Sequence, residues 1–423
     1  MLRKPFNSGR DGLSQIEPHR TCRYLLPSII ILCWLAVACH AADEPRILTP
    51  SPSSFQTLSR FTELLDALQK GYVAPGKLNT DEQTTAALRG FVRAVDPEAD
   101  LLTPEEVAAT NESAYTDGDI GLSFAIRDDF PVVISPHDGS PAESAGLLAG
   151  EQIVAIGNVP TPHARRIDVD RLLRGPPNFP VNLRVFDPNT GAVRDLRLHR
   201  TTESLSPSPG LRFLDRGVAY YRVPEFTLAA VENFRAAMVL AKSDRAPAII
   251  LDLRNNPGGA FEAAQVAASF FLPMGTEVVS LEYANPALRT TFVSDESIRV
   301  TAPLVLLVNG GTAGDAEVFA AALQDNKRAR IVGSRSFGRG ILTTSVRLSD
   351  GSVLVMPTAY FARPSKQVLQ GKGVAPDVIV EMPRETERSL ARAGFGTFDW
   401  RNDKADVLGT DLPLARALAL LAK

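Results

Sequence analysis

The arrangement of apolar and polar positions changes twice along this chain. In Phe61–Val73 and Thr80–Val95 the apolar residues recur at helical spacing. From about Gly118 the pattern becomes one of short strands and turns. Across 211–382, apolar strands such as 248–254 (AIILDLR) alternate with helical segments. The sequence therefore predicts a multidomain α/β protein with a helical N-terminal segment, a small β-rich domain with helices, and an α/β core.

Local signals refine these boundaries. Asp81 and Glu82 favour the start of a helix, and Thr103 with Glu106 predicts a capping box. The amphipathic stretch Leu412–Leu421 could dock on the core or on a second copy of the chain, so a homo-oligomer is one alternative. The predicted segments are a signal peptide at 1–41, a helical region at 43–114, the β-rich domain at 115–202, the α/β core at 203–385 and a helical tail at 386–423.

Composition narrows the classes of function. A chain of 423 residues with 44% hydrophobic and 22% charged residues is large enough for two or three cores. Its net charge of −3 argues against nucleic acid as a partner, because phosphate binding favours a basic surplus. We expect no cofactor and no metal.

The N-terminus resembles an export signal. Basic residues beginning with Arg3 precede an apolar run at 24–38, which is short for a membrane span and contains Pro27. Cleavage at Ala41 or Ala42 would fit a signal peptide, and 35–39 (LAVAC) would fit lipidation of Cys39, whereas an uncleaved anchor helix is the alternative. We predict a periplasmic or cell-envelope protein.

The cysteines all lie in this N-terminal segment, at Cys22, Cys33 and Cys39. The mature chain would therefore contain none, or only a lipidated Cys39. A disulfide, a thiol nucleophile and a cysteine metal site are excluded from the predicted core.

Two motifs in the predicted core are specific. LDLRNNPGG occupies 251–259, and 308–342 reads VNGGTAGDAEVFAAALQDNKRARIVGSRSFGRGIL. Together with GKGVAPDVIV at 371–380, they resemble the core of the tail-specific, or C-terminal-processing, serine peptidases. In the β-rich domain, Gly121-Leu122 and 139–142 (GSPA) resemble a PDZ domain of the bacterial protease type. The resemblance covers most of the mature chain and implies a serine peptidase with a Ser/Lys dyad.

Both dyad positions are substituted in this chain. The family pattern places the nucleophilic serine three residues before Glu317, where this chain has Gly314, and the lysine base at Arg339. Glycine offers no nucleophile, and an arginine side chain stays protonated and cannot act as a base. The family also tends to have glutamine where this chain has Thr343. The resemblance therefore implies the fold but a degenerate dyad.

The same resemblance implies an oxyanion-binding loop. Its donors would be the backbone N–H of Asp315 and the Gly258-Gly259 turn. The Asp315 side chain has the wrong sign for a site where negative charge develops. We hypothesise that Asp315 and Arg339 form an ion pair that fills the old active site; two separate solvated charges are the alternative.

A relocated active site is the competing interpretation. No histidine follows Thr201, which excludes a Ser-His-Asp triad inside the core. The hydroxyl and ammonium groups near the motifs belong to Thr312, Ser334, Ser336, Lys327, Lys366 and Lys372. No motif supports a pair among them.

The resemblance to PDZ domains implies a peptide groove. The loop Asp119-Ile120-Gly121-Leu122 would hold a terminal carboxylate, and the groove would lie between Leu122–Ile126 and Asp168–Leu173. Asp119 replaces a glycine usual in the family, so its carboxylate lies beside the expected ligand carboxylate. A PDZ domain used only as a spacer or lid is the alternative.

Three functions are consistent with the sequence. The first is an exported, non-catalytic protein that binds polypeptide C-termini or regulates a catalytic protease or an envelope protein. The second is an active serine endopeptidase that cleaves protein C-terminal regions with a relocated nucleophile. The third is an adaptor whose PDZ domain binds no peptide.

Overall fold

The computed structural model describes residues 52–109, 118–202, 210–295, 300–395 and 400–422. The predicted signal segment with Cys39 lies outside the described residues, and so do most of residues 201–210, a Ser/Pro-rich stretch that the sequence predicts to be a linker. The helix Pro52–Gly71 and the short 3-10 helix Pro75–Lys77 belong to a compact unit that ends at Thr80, and the remaining residues form a second unit.

The second unit begins at Asp81, inside the helix Thr80–Val95, whose bounds agree with those predicted. The strand β1 (Asp100–Leu102) follows, and a helical turn occupies 104–109. The backbone N–H of Thr103 donates to Glu106 at 3.0 Å, and the N–H of Glu106 donates to Thr103 Oγ1 at 3.3 Å. The predicted capping box is confirmed.

The β-rich domain contains one antiparallel sheet. Its strand order is β2-β3-β4-β6-β7, with β5 paired to β4, so β2 lies at an edge. The short helix Pro141–Ser144 and the helix Arg166–Leu173 complete the domain. The strands are β2 (Leu122–Arg127), β3 (Phe130–Pro136), β4 (Gln152–Ile156), β5 (Val159–Pro160), β6 (Pro180–Asp187) and β7 (Ala192–His199).

The core contains a largely parallel sheet in the order β17-β14-β13-β10-β9-β8. Only β8 pairs antiparallel. Helices Leu228–Ser243, Phe261–Ser269 and Asp315–Asp325 connect its strands. The strands are β8 (Arg212–Phe213), β9 (Ala219–Arg222), β10 (Ile249–Asp252), β13 (Leu304–Val308), β14 (Arg330–Gly333) and β17 (Val378–Ile379).

This parallel sheet positions the candidate site. Every residue of β10 and β13 is buried, which explains their continuous apolar runs. Because the two strands are parallel neighbours, the loops at 253–259 and 309–314 leave the same edge of the sheet. The two specific motifs of the sequence therefore meet there.

A second, antiparallel sheet of the core was not predicted as such. Its order is β1-β16-β11-β12, and β15 pairs with β16. The strand β15 follows directly after the FGRG segment at 337–340. The remaining strands are β11 (Glu277–Tyr283), β12 (Thr290–Val293), β15 (Ile341–Arg347) and β16 (Val353–Ala362).

Ion pairs fix the β-rich domain against the core. The guanidinium of Arg222, which is fully buried, donates to both carboxylate oxygens of Asp138 at 2.6 Å. Arg127 donates to the carbonyl oxygens of Phe337 and Gly338 at 3.1 and 3.0 Å. The edge strand β2 therefore lies beside the loop that carries Arg339.

The C-terminal segment forms the helices Arg384–Ala393, Trp400–Thr410 and Leu412–Leu421. Leu414 is fully buried against the parallel sheet, so this tail docks on the core of its own chain. The buried Arg254 bridges Asp252 and Asp411, at 2.6 and 2.8 Å. Among the residues that the structure describes, no helix is long and apolar enough to cross a membrane.

Candidate active site and peptide-binding site

Gly314 occupies a sharp turn from strand to helix. Its φ of 57° and ψ of −125° lie in a region that residues other than glycine rarely adopt. Hydrolases commonly hold a nucleophilic serine in a strained turn of this kind, between a strand and the helix that follows. A Cβ placed on Gly314 would lie 3.2 Å from the carbonyl oxygen of Pro257. The backbone therefore has the shape of a nucleophile turn, and the side chain is absent.

The buried carboxylate of Glu317 joins the two dyad positions. Its Oε2 accepts the backbone N–H groups of Gly314 at 3.0 Å and of Arg339 at 2.8 Å. Its Oε1 accepts the N–H of Gly338 at 2.7 Å and the hydroxyl of Ser336. Burial raises the pKa of Glu317, although these donors favour its charged form. The structure thus brings the predicted dyad positions together through a residue whose role the sequence did not reveal.

The predicted ion pair between Asp315 and Arg339 is wrong. Arg339 Nη2 instead donates to Glu98 Oε2 at 2.9 Å. The attraction between Arg339 and Asp315 is electrostatic and acts over a longer distance. Glu98 lies in the loop after the helix Thr80–Val95, 241 residues earlier in the chain. Within the described residues, Arg339 Nε is buried without a hydrogen-bond partner.

The Asp315 carboxylate faces the glycine turn that was predicted to bind an oxyanion. Burial raises its pKa to about 6, and a hydrogen bond from the backbone N–H of Gly259 opposes that shift. The N–H of Gly258 donates to Asn256 Oδ1 at 2.9 Å. The structure therefore assembles the three predicted oxyanion residues, but Asn256 accepts from the Gly258 donor and the Asp315 carboxylate lies beside the Gly259 donor.

The hydroxyl groups weighed as relocated nucleophiles have structural partners. Thr312 Oγ1 donates to the carbonyl of Leu253 at 2.8 Å and accepts the N–H of Asn309 at 3.1 Å. Ser336 Oγ donates to Glu317 and accepts the N–H of Val374 at 2.6 Å. Both side chains are buried. A hydroxyl group that donates one hydrogen bond and accepts another is held in a fixed orientation, as in a structural role.

The remaining candidates lie elsewhere. Thr343 is exposed in β15 and pairs with Pro357 across the hairpin. Lys366 forms an exposed ion pair with Glu277 at 2.6 Å. Ser334 is half-buried, and the side chains of Lys327 and Lys372 are exposed. None of these lysines is buried, and none lies beside the Gly314 turn in the way a general base would.

The predicted peptide loop precedes the edge strand β2. Asp119 Oδ1 accepts the backbone N–H groups of Ile120 at 2.5 Å and Gly121 at 3.2 Å, and Leu122 begins the strand. The helix Arg166–Leu173 flanks β2, as predicted, starting two residues earlier. The apolar side chains of this groove, including Leu122, are buried within the domain. No group of acidic, histidine or cysteine side chains in the described part of the chain could hold a metal.

Comparison with known proteins identifies the family. A sequence profile of a PDZ domain matches residues 132–185, and that of Peptidase family S41 matches residues 217–380. The carboxyl-terminal-processing protease of Synechocystis sp. is 32% identical over 329 residues, which cover 75% of each chain. This chain belongs to Peptidase family S41. The resemblance predicted from the motifs is confirmed.

Other members of Peptidase family S41 support the fold. A carboxy-terminal-processing protease of Bartonella bacilliformis is 29% identical and aligns with 78% of this chain and 76% of its own length. The solved structure of a photosystem II D1 C-terminal processing protease superimposes with a TM-score of 0.67, at 28% identity, over 80% of this chain and 97% of that protein. The predicted α/β fold with a PDZ domain is confirmed, and Gly314 and Arg339 lie inside the segment matched to the family.

Proposed function

We propose that this member of Peptidase family S41 binds polypeptides without cleaving them. The observation that carries the proposal is Gly314, whose backbone keeps the nucleophile turn and whose side chain is absent. Arg339, at the base position, is protonated and paired with Glu98. A Ser/Lys mechanism requires a nucleophile and a neutral amine, and neither group is available.

The neighbouring hydroxyl groups support the same proposal. Thr312 and Ser336 are buried, and each accepts a backbone N–H while donating its own proton. A nucleophile must present its oxygen to a substrate carbonyl, which these contacts oppose. Asp315 further places a carboxylate on the turn where negative charge would develop.

The polypeptide-binding part of the proposal rests on the PDZ domain. Such domains add an extended peptide to a sheet edge and hold its terminal carboxylate on loop N–H groups. The edge strand β2 has such a loop at its start, although Asp119 occupies two of its donors. We propose polypeptide C-termini as ligands, and a catalytic protease or an envelope protein as the partner that the chain regulates.

We also propose export to the periplasm or cell envelope, since the basic and apolar pattern before Ala41 is that of a signal peptide. Cell fractionation tests this proposal directly. Recovery of the chain in the cytoplasm with an intact N-terminus would contradict it. A membrane-bound form that is released by Cys39→Ser would identify a lipid anchor.

A fluorophosphonate probe and a cleavage assay test the absence of catalysis. We expect no covalent adduct and no cleavage of an unstructured polypeptide with an apolar C-terminus. The competing function, an endopeptidase with a relocated nucleophile, predicts an adduct on Ser336 or Thr312 and activity that is lost on its substitution by alanine. A homologue that has its Ser/Lys dyad serves as the positive control.

A further inference from the structure

The carboxylate-binding loop of the PDZ domain already holds a carboxylate. The N–H groups of Ile120 and Gly121 both donate to Asp119 Oδ1, at 2.5 and 3.2 Å. A peptide C-terminus bound in the manner of PDZ ligands would place its own carboxylate oxygen on these donors. The Asp119 side chain therefore has the chemistry of the terminal group of such a ligand, at the place where that group would bind.

The backbone of this loop is fixed by contacts that do not involve the Asp119 side chain. The N–H of Asp119 donates to the carbonyl of Thr201 at 2.9 Å, and the reverse hydrogen bond is 2.8 Å. The carbonyls of Ile120 and Gly121 accept the N–H groups of Ala142 and His137, both at 2.9 Å. Rotation of the carboxylate away from the loop would leave the two donors in position.

A second side chain occupies the sheet edge where a ligand strand would pair. Arg166 Nη1 donates to the carbonyl oxygen of Phe124 in the edge strand β2 at 2.7 Å. An added strand would offer a backbone N–H to a carbonyl of this edge. The aromatic ring of Phe124 also lies 4.8 Å below the Arg166 guanidinium. Arg166 therefore takes the place of a ligand backbone donor.

Solvent can reach the first of these two contacts. The Asp119 side chain is 33% exposed, and its Oδ2 lies 3.6 Å from the guanidinium of Arg174. Arg174 also pairs with Asp170 at 2.9 Å, on the helix that flanks the groove. An incoming carboxylate that displaced Asp119 would meet the same two N–H groups and the same arginine.

We propose that Asp119 and Arg166 are internal competitors for the PDZ groove, replacing the carboxylate and a backbone donor of a polypeptide with a free C-terminus. This inference rests on the proposed polypeptide-binding function and assigns its regulation to these side chains. The apparent affinity for a C-terminus is lowered by the fraction of molecules in which the groove is occupied internally. Ligands lacking a terminal carboxylate cannot replace the first contact.

Peptide binding by the whole purified protein tests the proposal. The probe is a fluorescent, unstructured peptide with an apolar last residue, prepared with a free and with an amidated C-terminus. We expect Asp119→Gly to bind the free-carboxylate peptide at least ~10-fold more tightly than the wild type and the amidated peptide equally weakly. Arg166→Gln should strengthen binding of both peptides by similar factors. Both peptides have the backbone N–H that would bind the carbonyl of Phe124 in place of Arg166.

Three further measurements make the result decisive. Asp195→Asn, in an exposed ion pair of the same sheet, should leave both affinities unchanged. If Asp119→Gly unfolds, Asp119→Asn keeps a side-chain acceptor of the same size and should still favour the free-carboxylate peptide, by a smaller factor. Retention of a longer unstructured polypeptide by the wild type is measured in parallel and tests the proposed function by itself.

Specific outcomes would overturn the proposal. An Asp119→Gly variant that gains nothing, or gains equally for the amidated peptide, excludes internal competition at the carboxylate loop. If the wild type still retains the longer polypeptide in that case, the proposed function survives and its binding surface lies elsewhere. If no variant binds any polypeptide, both proposals fail.

Discussion

Two loops of this protein have an aspartate carboxylate beside their backbone N–H groups, one in the core and one in the PDZ domain. In the core, Asp315 lies against the N–H of Gly259, and in the PDZ domain Asp119 lies on the N–H groups of Ile120 and Gly121. Removing Asp315 would expose a loop beside Gly314, where no nucleophile exists. Removing Asp119 would free the N–H groups of Ile120 and Gly121, on which a PDZ domain holds a terminal carboxylate. The comparison favours recognition over catalysis.

The two carboxylates also differ in environment. Asp315 lies in a site where burial raises its pKa to about 6, so its ionised form is held at a cost. The Asp119 side chain is one-third exposed and has Arg174 at 3.6 Å. Packing, more than charge, keeps the buried Asp315 carboxylate in place. The partly exposed Asp119 carboxylate can exchange with a carboxylate from solution.

The largest expected effect concerns restoration of catalysis. Gly314→Ser with Arg339→Lys should remain inactive, because Glu98 would hold the new lysine in its charged form and Asp315 would still occupy the Gly259 donor. Adding Glu98→Gln and Asp315→Ala should raise the rate of fluorophosphonate labelling by about 10²-fold, the usual value of one oxyanion donor. Intact mass spectrometry measures the adduct.

The matched control for that experiment is the triple variant that retains Gly314. It should stay unlabelled, since the other three changes supply no nucleophile. A double variant that labels as fast as the fourfold variant would contradict the blocking roles assigned to Asp315 and Glu98.

The next effect concerns the ion pair that joins the two regions. Asp138→Ala would leave the fully buried guanidinium of Arg222 without its bidentate partner. Loss of one partner of a buried pair costs about 3 kcal/mol or more in the free energy of unfolding. Urea denaturation measures the change. The control, Asp195→Ala, breaks an exposed pair with Arg184 and should change the free energy of unfolding far less. Equal losses for the two variants would argue against a buried connection.

A smaller effect is the pH dependence of stability at Asp315. Its carboxyl titrates near 3.8 when unfolded and at about 6 when folded. Between these values the folded chain binds more protons, so this group lowers the free energy of unfolding as pH rises. Asp315→Asn should therefore stabilise the protein at pH 8 by on the order of 2 kcal/mol and have little effect at pH 3.5.

Denaturation midpoints at the two pH values measure this difference. Glu262→Gln removes a neighbouring charge that raises the Asp315 pKa, and it should change stability in the same direction by a smaller amount. A gain for Asp315→Asn that is equal at both pH values would show that packing, and not the charge, is responsible.

The smallest effect is expected at Thr343. Thr343→Gln restores the residue usual in the family, but the side chain is exposed in β15. The change should alter the free energy of unfolding by no more than about 0.5 kcal/mol and should leave the protein unreactive to the probe. Labelling of the Thr343→Gln variant without any other substitution would show that residue 343 controls reactivity towards the probe, contrary to its exposed position.

Elements with strong local patterns were predictable from the sequence. The helix Thr80–Val95 has the predicted bounds, and the buried parallel strands β10 and β13 coincide with continuous apolar runs. The antiparallel sheet was less visible because β15 is exposed over most of its length and shows no alternation of apolar and polar residues. Its pairing depends on neighbours far along the chain.

The sequence identified the positions of the site but not the partners of its charges. Gly314, Asp315 and the Gly258-Gly259 turn come together as the resemblance implied. The partner of Arg339 is Glu98, which is remote in sequence. Long, flexible side chains choose among partners according to tertiary geometry, and a spacing pattern carries no information about that choice.

The mass of a bound polypeptide distinguishes binding without cleavage from proteolysis. An unstructured polypeptide with a free, apolar C-terminus is incubated with the purified wild-type protein. The complex is isolated by size-exclusion chromatography, and the mass of the recovered polypeptide is measured by mass spectrometry. The account predicts a retained polypeptide of unchanged mass. Recovery of fragments that disappear on Ser336→Ala or Thr312→Ala, with no retained intact chain, would contradict it.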